Sequence, residues 1–345
     1  MRVSGRLAML GMAVLLGFLL SAANRSTWET GPLRLQEAER MKNVVVLGQD
    51  DSGPPETAPE PAAEAEAPEE EASGEPPEVL VSVMQTRSGA DLRETTISGA
   101  QLLKNETSYV LDPEAILQEG PSLRLPAEGP QILIIHTHGS EAYTPAGLDR
   151  YEASDTNRTQ DPRYSVIRVG DELAERLEEQ GLRVIHDREI YDYPSYTGSY
   201  SRSGEAVERC LEQYPGIAVV IDLHRDALGA DGVVYKTMAE EEGTVASQVM
   251  LLVGSDESGL EHPNWRENLA LALYLQQAAA AAHPTLMRPV SLVPQRYNQQ
   301  LTGGSLILEV GCSGNTLQEA LAAVRLFAGA AGPALLALAE APGEN

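Results

Sequence analysis

Three short aliphatic runs constrain what this chain can fold into. Ile132–Ile135, Ile217–Ile221 and Leu306–Leu308 are apolar at every consecutive position. Each is too short to be a helix, and successive residues of a strand face opposite sides, so each run is apolar on both faces. Such a strand must be covered on both sides, as in the middle of a parallel sheet. The intervening segments read as helices. Val166, Val169, Leu173 and Leu177 recur at helical spacing within 165–180, and Gly181 follows as a stop. The expected strands are 132–136, 182–186, 217–224, 245–253 and 305–309. The expected helices are 165–180, 203–214, 269–282 and one from about Leu317. VLVSVM (79–84) suggests a further strand, and NETSYVLDPEAIL a strand followed by a helix. Strand–helix alternation of this kind indicates an α/β protein with a mostly parallel twisted sheet flanked by helices.

The N-terminal part reads differently. Arg2 and Arg6 precede an uncharged run from Leu7 to Ala23. Two readings compete: an uncleaved transmembrane anchor, or a signal cleaved after Ser21-Ala22-Ala23. In both, the arginines stay inside and the rest of the chain is exported, placing the folded part on the outer side of the cell membrane. Residues 24–49 form a juxtamembrane segment. Residues 50–78 hold 11 Asp and Glu, no Lys or Arg, and many Pro and Ala. Such a tract cannot bury enough apolar surface to order itself and reads as a disordered, extended spacer. Residues 79–130 form a short extension of a folded domain spanning 131–345. The formal net charge is −26, from 51 acidic and 25 basic residues, which argues against a nucleic-acid partner. Cys210 and Cys312 fall in no metal-ligand spacing and read as buried free thiols.

Six histidines occur in the chain, and two stand together in HTHGSE, directly after the first aliphatic run. The three central strands end alike. The first ends in His136 and His138, with Glu141 just beyond, the second in Asp222-Leu223-His224-Arg225-Asp226, and the third in Glu309. Ligands of open α/β sheets bind beyond the carboxyl ends of strands, so parallel strands would bring these ends to one rim. Alternation along a strand puts His136 and His138 on one side, and the Gly139-Ser140 turn swings Glu141 back toward His138. Two imidazoles and one carboxylate with an open position make a catalytic Zn2+ site, with Glu309 as the proton-carrying carboxylate. The same donor set serves iron oxygenases. Each residue alone also has an ordinary structural role: a hydrogen-bonded core histidine, or a glutamate paired with arginine.

The stretches LIIHTHGSEAYTP (133–145), YSVIRVGDEL (164–173), YTGSYSRS (196–203), VVIDLHRDA (219–227) and YNQQLTGGSLILEVGCSGNT (297–316) resemble the stage II sporulation protein P family of spore-forming bacteria, in the family's order. The resemblance implies an amidase-type, phosphorylase/hydrolase-like fold. It implies a zinc N-acetylmuramoyl-L-alanine amidase that cuts peptidoglycan during engulfment, with endopeptidase capacity also attributed to the family. It implies partnership with the stage II sporulation proteins D and M. Carried over to this sequence, His138 and His224 are metal ligands and Glu309 is the catalytic carboxylate. Related amidases carry their ligand Glu further downstream, where this chain has none, which leaves the third place to Glu141 with His136 as its rival. His136, Arg202, Arg225 and Asp226 are candidates for contacting substrate or orienting the ligands, and for each arginine a structural salt bridge is an equal alternative. A zinc endopeptidase acting on cross-linked stem peptides and a catalytically silent peptidoglycan-binding scaffold are the competing functions.

Overall fold

The computed structural model describes residues 91–143, 158–230, 233–241 and 243–339. The apolar run 7–23, the acidic tract 50–78 and the strand expected at 79–84 lie outside the described residues. The main body is a seven-stranded sheet. Its strands are β2 (Leu103–Asn105), β3 (Ile132–Ile135), β4 (Val184–His186), β5 (Val219–Asp226), β9 (Val249–Gly254), β10 (Val290–Val293) and β11 (Ser305–Cys312), in the order β2-β10-β9-β11-β5-β3-β4. Every neighbouring pair is parallel except β11 with β9. Among the described residues five α-helices accompany it: α1 (Pro113–Glu119), α2 (Val166–Glu179), α3 (Ser199–Gln213), α4 (Trp265–Ala282) and α5 (Leu317–Leu336).

The aliphatic runs are buried on both sides, as their composition requires. Ile132, Ile134, Ile221, Leu223, Leu306 and Leu308 pack in one core with residues of α2, α4 and α5. On the opposite side Leu133, Ile135 and Val220 meet Ala206 and Val207 of α3. Met250, Leu252, Val293 and Ile307 continue that second face toward Tyr297. Helix α5 is long and apolar enough to cross a membrane, but half of it is buried inside this body, which makes it a core helix. Its start is fixed by a capping box between Thr316 and Glu319.

Two segments depart from the periodicity reading. The single strand expected over 245–253 is two strands in different sheets. β8 (Thr244–Ser247) pairs with β7 (Val233–Glu241) in a small sheet that also holds β1 (Asp91–Thr95) and β6 (Gly229–Ala230), whereas β9 joins the main sheet. The break falls at Gln248. Its buried amide donates to the carbonyls of Ile97 (2.8 Å) and Thr285 (2.9 Å) and accepts from the Ile97 N–H (2.7 Å), a set of bonds that a continuous apolar strand could not supply. In NETSYVLDPEAIL the helix α1 forms behind the Asp112 cap, but the strand before it, β2, ends at Asn105 and residues 106–112 form none. Asn105 instead turns the chain, accepting from the Thr107 N–H (3.0 Å) and donating to the Tyr109 carbonyl (2.7 Å). The 79–130 extension gives a strand to each sheet: β1 pairs with β7 in the small one, and β2 is the edge strand of the main one.

Helices α2 and α5 are joined by a charge cluster that the sequence pattern does not show. Glu172, buried on α2, accepts from Arg325 of α5 (2.7 Å) and from Arg168 and Arg176 of its own helix (3.1 Å each). Arg325, helped by the two other guanidiniums, holds the Glu172 carboxyl down at about 2 against the pull of burial. A depressed carboxylate stabilises the fold above its unfolded value, and that contribution fades as pH falls from about 4.5 toward 2. The arginines are partly solvated, which screens the effect. Glu172→Gln should therefore lower stability by about 2 kcal/mol at pH 7 and by only about 0.5 kcal/mol near pH 2.5. Urea unfolding at the two pH values measures it; an equal loss at both would mean that packing, not charge, is what Glu172 provides.

Candidate active site

The site forms where β3, β5 and β11 end side by side. Pairing of β5 with β11 sets Ile307 beside Asp222 and Glu309 beside His224. Pairing of β3 with β5 sets Ile135 beside Asp222. A bulge follows Glu309, at Gly311 (φ 69°), where a side chain would strike Ser247. Strand β3 stops at Ile135 because Asp222 captures the next residue but one. Its carboxylate accepts from the Thr137 N–H (2.8 Å) and the Thr137 hydroxyl (2.6 Å). The chain therefore turns before His138 and carries it over the end of β5.

That turn separates the two histidines that strand alternation had placed together. His136 keeps the orientation of Ile132 and Ile134 and points toward α2. Its Nδ1 donates to the Leu223 carbonyl (2.9 Å), and its Nε2 lies 2.8 Å from Nε2 of His186. Both rings fit only because α2 has a glycine there: a Cβ on Gly170 would stand 2.6 Å from each. His138 instead faces His224, ring edge to ring face, at 5.3 Å between centroids. Glu141 is swung back by the turn, its N–H donating to the His138 carbonyl (3.0 Å). One of its oxygens lies 3.6 Å from Nδ1 of His224 and accepts from the Arg225 N–H (3.1 Å). The structure thus brings His138, Glu141, His224 and Glu309 to one rim and leaves His136 on the other side of the sheet.

The remaining candidates hold the frame. Arg225 is buried and donates to the Ala142 carbonyl (2.7 Å), tying down the segment that carries Glu141. Asp226 pairs with buried Arg288 (2.7 Å). Arg202 gives its guanidinium to the carbonyls of Tyr191 (2.7 Å), Thr197 (3.1 Å) and Ser195, so it organises the 191–198 loop rather than facing a ligand. Four further residues enter the site. Asp222 lies 2.8 Å from Nε2 of His224, though not aligned as a hydrogen bond. Asp192 accepts from the Ser140 N–H (3.1 Å), the Ser140 hydroxyl and Arg158. Arg158 also reaches Glu141 at 3.6 Å. Tyr196 stacks on His138 at 4.5 Å and places its hydroxyl 3.1 Å from Nε2. Asp222 could have been found from its alternation with His224 in IDLH, and Tyr196 opens the quoted stretch 196–203; Asp192 and Arg158 carry no sequence signal of their own.

The electrostatics are strongly uneven. Burial would depress His224, yet Asp222 and Glu141 on either side raise it well above the ordinary histidine value. Burial and the neighbouring His224 lower His138 to about 4. Burial opposes ionisation of Glu141, but His224, Arg225 and His138 hold its carboxyl well below the usual range. Burial, reinforced by Asp226, pushes Glu309 up to about 8. Nδ1 of His138, Nε2 of His224 and one Glu309 oxygen are buried with no hydrogen-bond partner. Two imidazoles, a deprotonated carboxylate and unpartnered buried nitrogens are a donor set that suits a divalent cation. As placed, no three His, Cys, Asp or Glu side chains among the described residues close into a coordination shell.

Fold and site together define a mixed α/β protein with a buried acid–base cluster at its strand ends. The chain belongs to the stage II sporulation protein P (SpoIIP) family, whose description matches residues 37–331. It is 27% identical over 213 residues to stage II sporulation protein P of Bacillus subtilis (strain 168), covering 59% of this chain and 50% of the relative, so the chain spans about half the relative's length. Among solved structures it is similar to the N-acetylmuramoyl-L-alanine amidase AmiC2 of Nostoc punctiforme (17% identity, 61% of this chain and 98% of that one, TM-score 0.34). It is also similar to the CwlD amidase of Clostridioides difficile in complex with the GerS lipoprotein (12% identity, 60% and 98%, TM-score 0.34).

The bonding of Arg202 gives a direct test of its role. Arg202→Ala should lower stability by about 2 kcal/mol, the scale of charged hydrogen bonds lost to the loop. Chemical denaturation measures this. An unchanged midpoint together with weaker substrate binding would assign Arg202 to the ligand instead.

Proposed function

We propose that this chain is an exported, membrane-tethered zinc hydrolase that cleaves the amide between N-acetylmuramic acid and L-alanine in peptidoglycan during sporulation. One observation carries the reading: two histidines and two glutamates from three strand ends, far apart in sequence, meet at one buried rim in opposed ionisation states. His138, Glu141 and His224 are the residues that would hold zinc, which supplies Lewis acidity toward a carbonyl and a nucleophile from water near neutral pH. Asp222 beside Nε2 orients His224 so that Nδ1 faces Glu141. Arg225 and Arg158 fix the Glu141 carboxylate. Glu309, raised to about 8, carries a proton near neutrality and can give it to the leaving nitrogen.

The tether is the N-terminal run 7–23, with 50–78 as spacer, and the domain from 131 onward acts on the cell-wall side. Stage II sporulation proteins D and M are the partners that family membership suggests. A zinc endopeptidase on cross-linked stem peptides is the second reading, because the same donor set hydrolyses any amide presented to it.

Two measurements test this reading. Glu141→Gln should lower both zinc content and rate. Glu309→Gln should keep zinc and lose roughly 10²–10⁴-fold in rate. Elemental analysis beside a turnover assay separates them; full zinc occupancy in Glu141→Gln, His138→Ala and His224→Ala would place the metal elsewhere. For the tether, fractionated cells should hold the uncleaved chain in the membrane. A mature N-terminus near Asn24, found by peptide sequencing, would leave export without an anchor.

A further inference from the structure

The segment Tyr297-Asn298 has no part in the chemistry above, yet its backbone is held in an unfavourable state. Both residues have positive φ, 51° and 59°, and neither is glycine. A bulky side chain in that region persists only where its surroundings enforce it, and such places cluster at ligand clamps. The enforcement is visible. Asn298 donates to the Tyr200 carbonyl (2.7 Å) and reaches the Ser203 hydroxyl (3.3 Å). Buried Gln299 accepts from the Gly254 N–H (2.7 Å) and donates to the Leu252 carbonyl (3.1 Å).

What this turn achieves is the placement of one ring. Tyr297 lies 5.5 Å from Tyr200, whose edge meets His138 at 5.5 Å, and His138 in turn stacks on Tyr196. The rim therefore runs from Arg158, which sits over Tyr196 at 4.9 Å, through His138 to Tyr200 and Tyr297. Its two ends differ chemically. The Arg158 end is ionic, its guanidinium paired with Asp192 and Glu141. At the other end the neighbours packed around Tyr297 are apolar, Met250, Leu252, Val293 and Ile307, and Arg296 turns its guanidinium to the Glu261 carbonyl (3.1 Å).

We propose that Tyr297, presented by this turn beside Tyr200, seats a pyranose ring of the glycan strand on the sugar side of the scissile bond. This deepens the amidase reading and rests on it. A tyrosine offers a flat apolar face with a hydroxyl at its tip, and a pyranose offers a flat C–H face rimmed by hydroxyls, so the two match without charge. The charged carboxylates of a stem peptide gain nothing from an uncharged ring.

The test uses the full-length, detergent-solubilised chain carrying Glu309→Gln, so that bound substrate is not turned over. The probes are a peptide-free tetrasaccharide of alternating N-acetylglucosamine and N-acetylmuramic acid, and the free stem peptide. Adding Tyr297→Gly removes the ring and suits the backbone; Tyr297→Asn does the same with another residue that tolerates positive φ. Each should weaken tetrasaccharide binding roughly tenfold and leave peptide binding unchanged, while Tyr297→Phe stays within about threefold of the parent. Unchanged tetrasaccharide binding in the ring-deleted variants, equal loss for both probes, equal loss in Tyr297→Phe, or a parent that binds no tetrasaccharide would each overturn the sugar seat. The amidase reading is scored apart, by whether the unsubstituted chain releases stem peptides.

Discussion

The parallel pairing of β5 with β11 is the constraint on which the rest of the site depends. His224 and Glu309 are 85 residues apart in sequence and come side by side because Ser305–Glu309 runs in register with Val220–His224. A shift of one residue would turn Glu309 into the core formed with α4 and α5 and send Leu308 to the site. Alternating residues of both strands lock this register, Leu306 and Leu308 on one side and Ile307 on the other, each buried. The fold's stability and its chemistry are thus specified by the same ladder.

The site is a balance of buried charges rather than a set of independent groups. Asp222 serves two neighbours: it ends β3 by capturing Thr137, and it faces His224. His224, raised by Asp222 and Glu141, carries positive charge between two carboxylates. That is the electrostatic demand a divalent cation would meet in its place. Glu309 lies at the edge of this arrangement, next to the Asp226–Arg288 pair, and burial beside Asp226 keeps it protonated while Glu141 is ionised. Carboxylates pushed in opposite directions within one cluster are what proton transfer near neutral pH requires.

Much of this was legible in the sequence, for identifiable reasons. The aliphatic runs gave the sheet because a strand apolar on both faces has one environment. The α2 helix followed from Val166, Val169, Leu173 and Leu177. The convergence of His138, Glu141, His224 and Glu309 followed from the rule for strand ends. Periodicity failed where a single polar side chain decides the path: Gln248 splits an apolar run between two sheets, and Asp222 ends β3 early, sending His136 and His138 to different sides. Arg158, Asp192 and Tyr196 reach the site from loops, whose positions are set by tertiary bonds that no local pattern encodes.

The most direct measurement is the chemistry of the cut. Purified full-length protein, zinc-loaded, is incubated with peptidoglycan and the soluble products are sequenced by mass spectrometry. A muramoyl amidase predicts free stem peptides that begin with an L-alanine amine, and glycan strands stripped of peptide. New amines only within the stem peptide would contradict that and favour the endopeptidase; no release at all would contradict an enzymatic role for the buried rim.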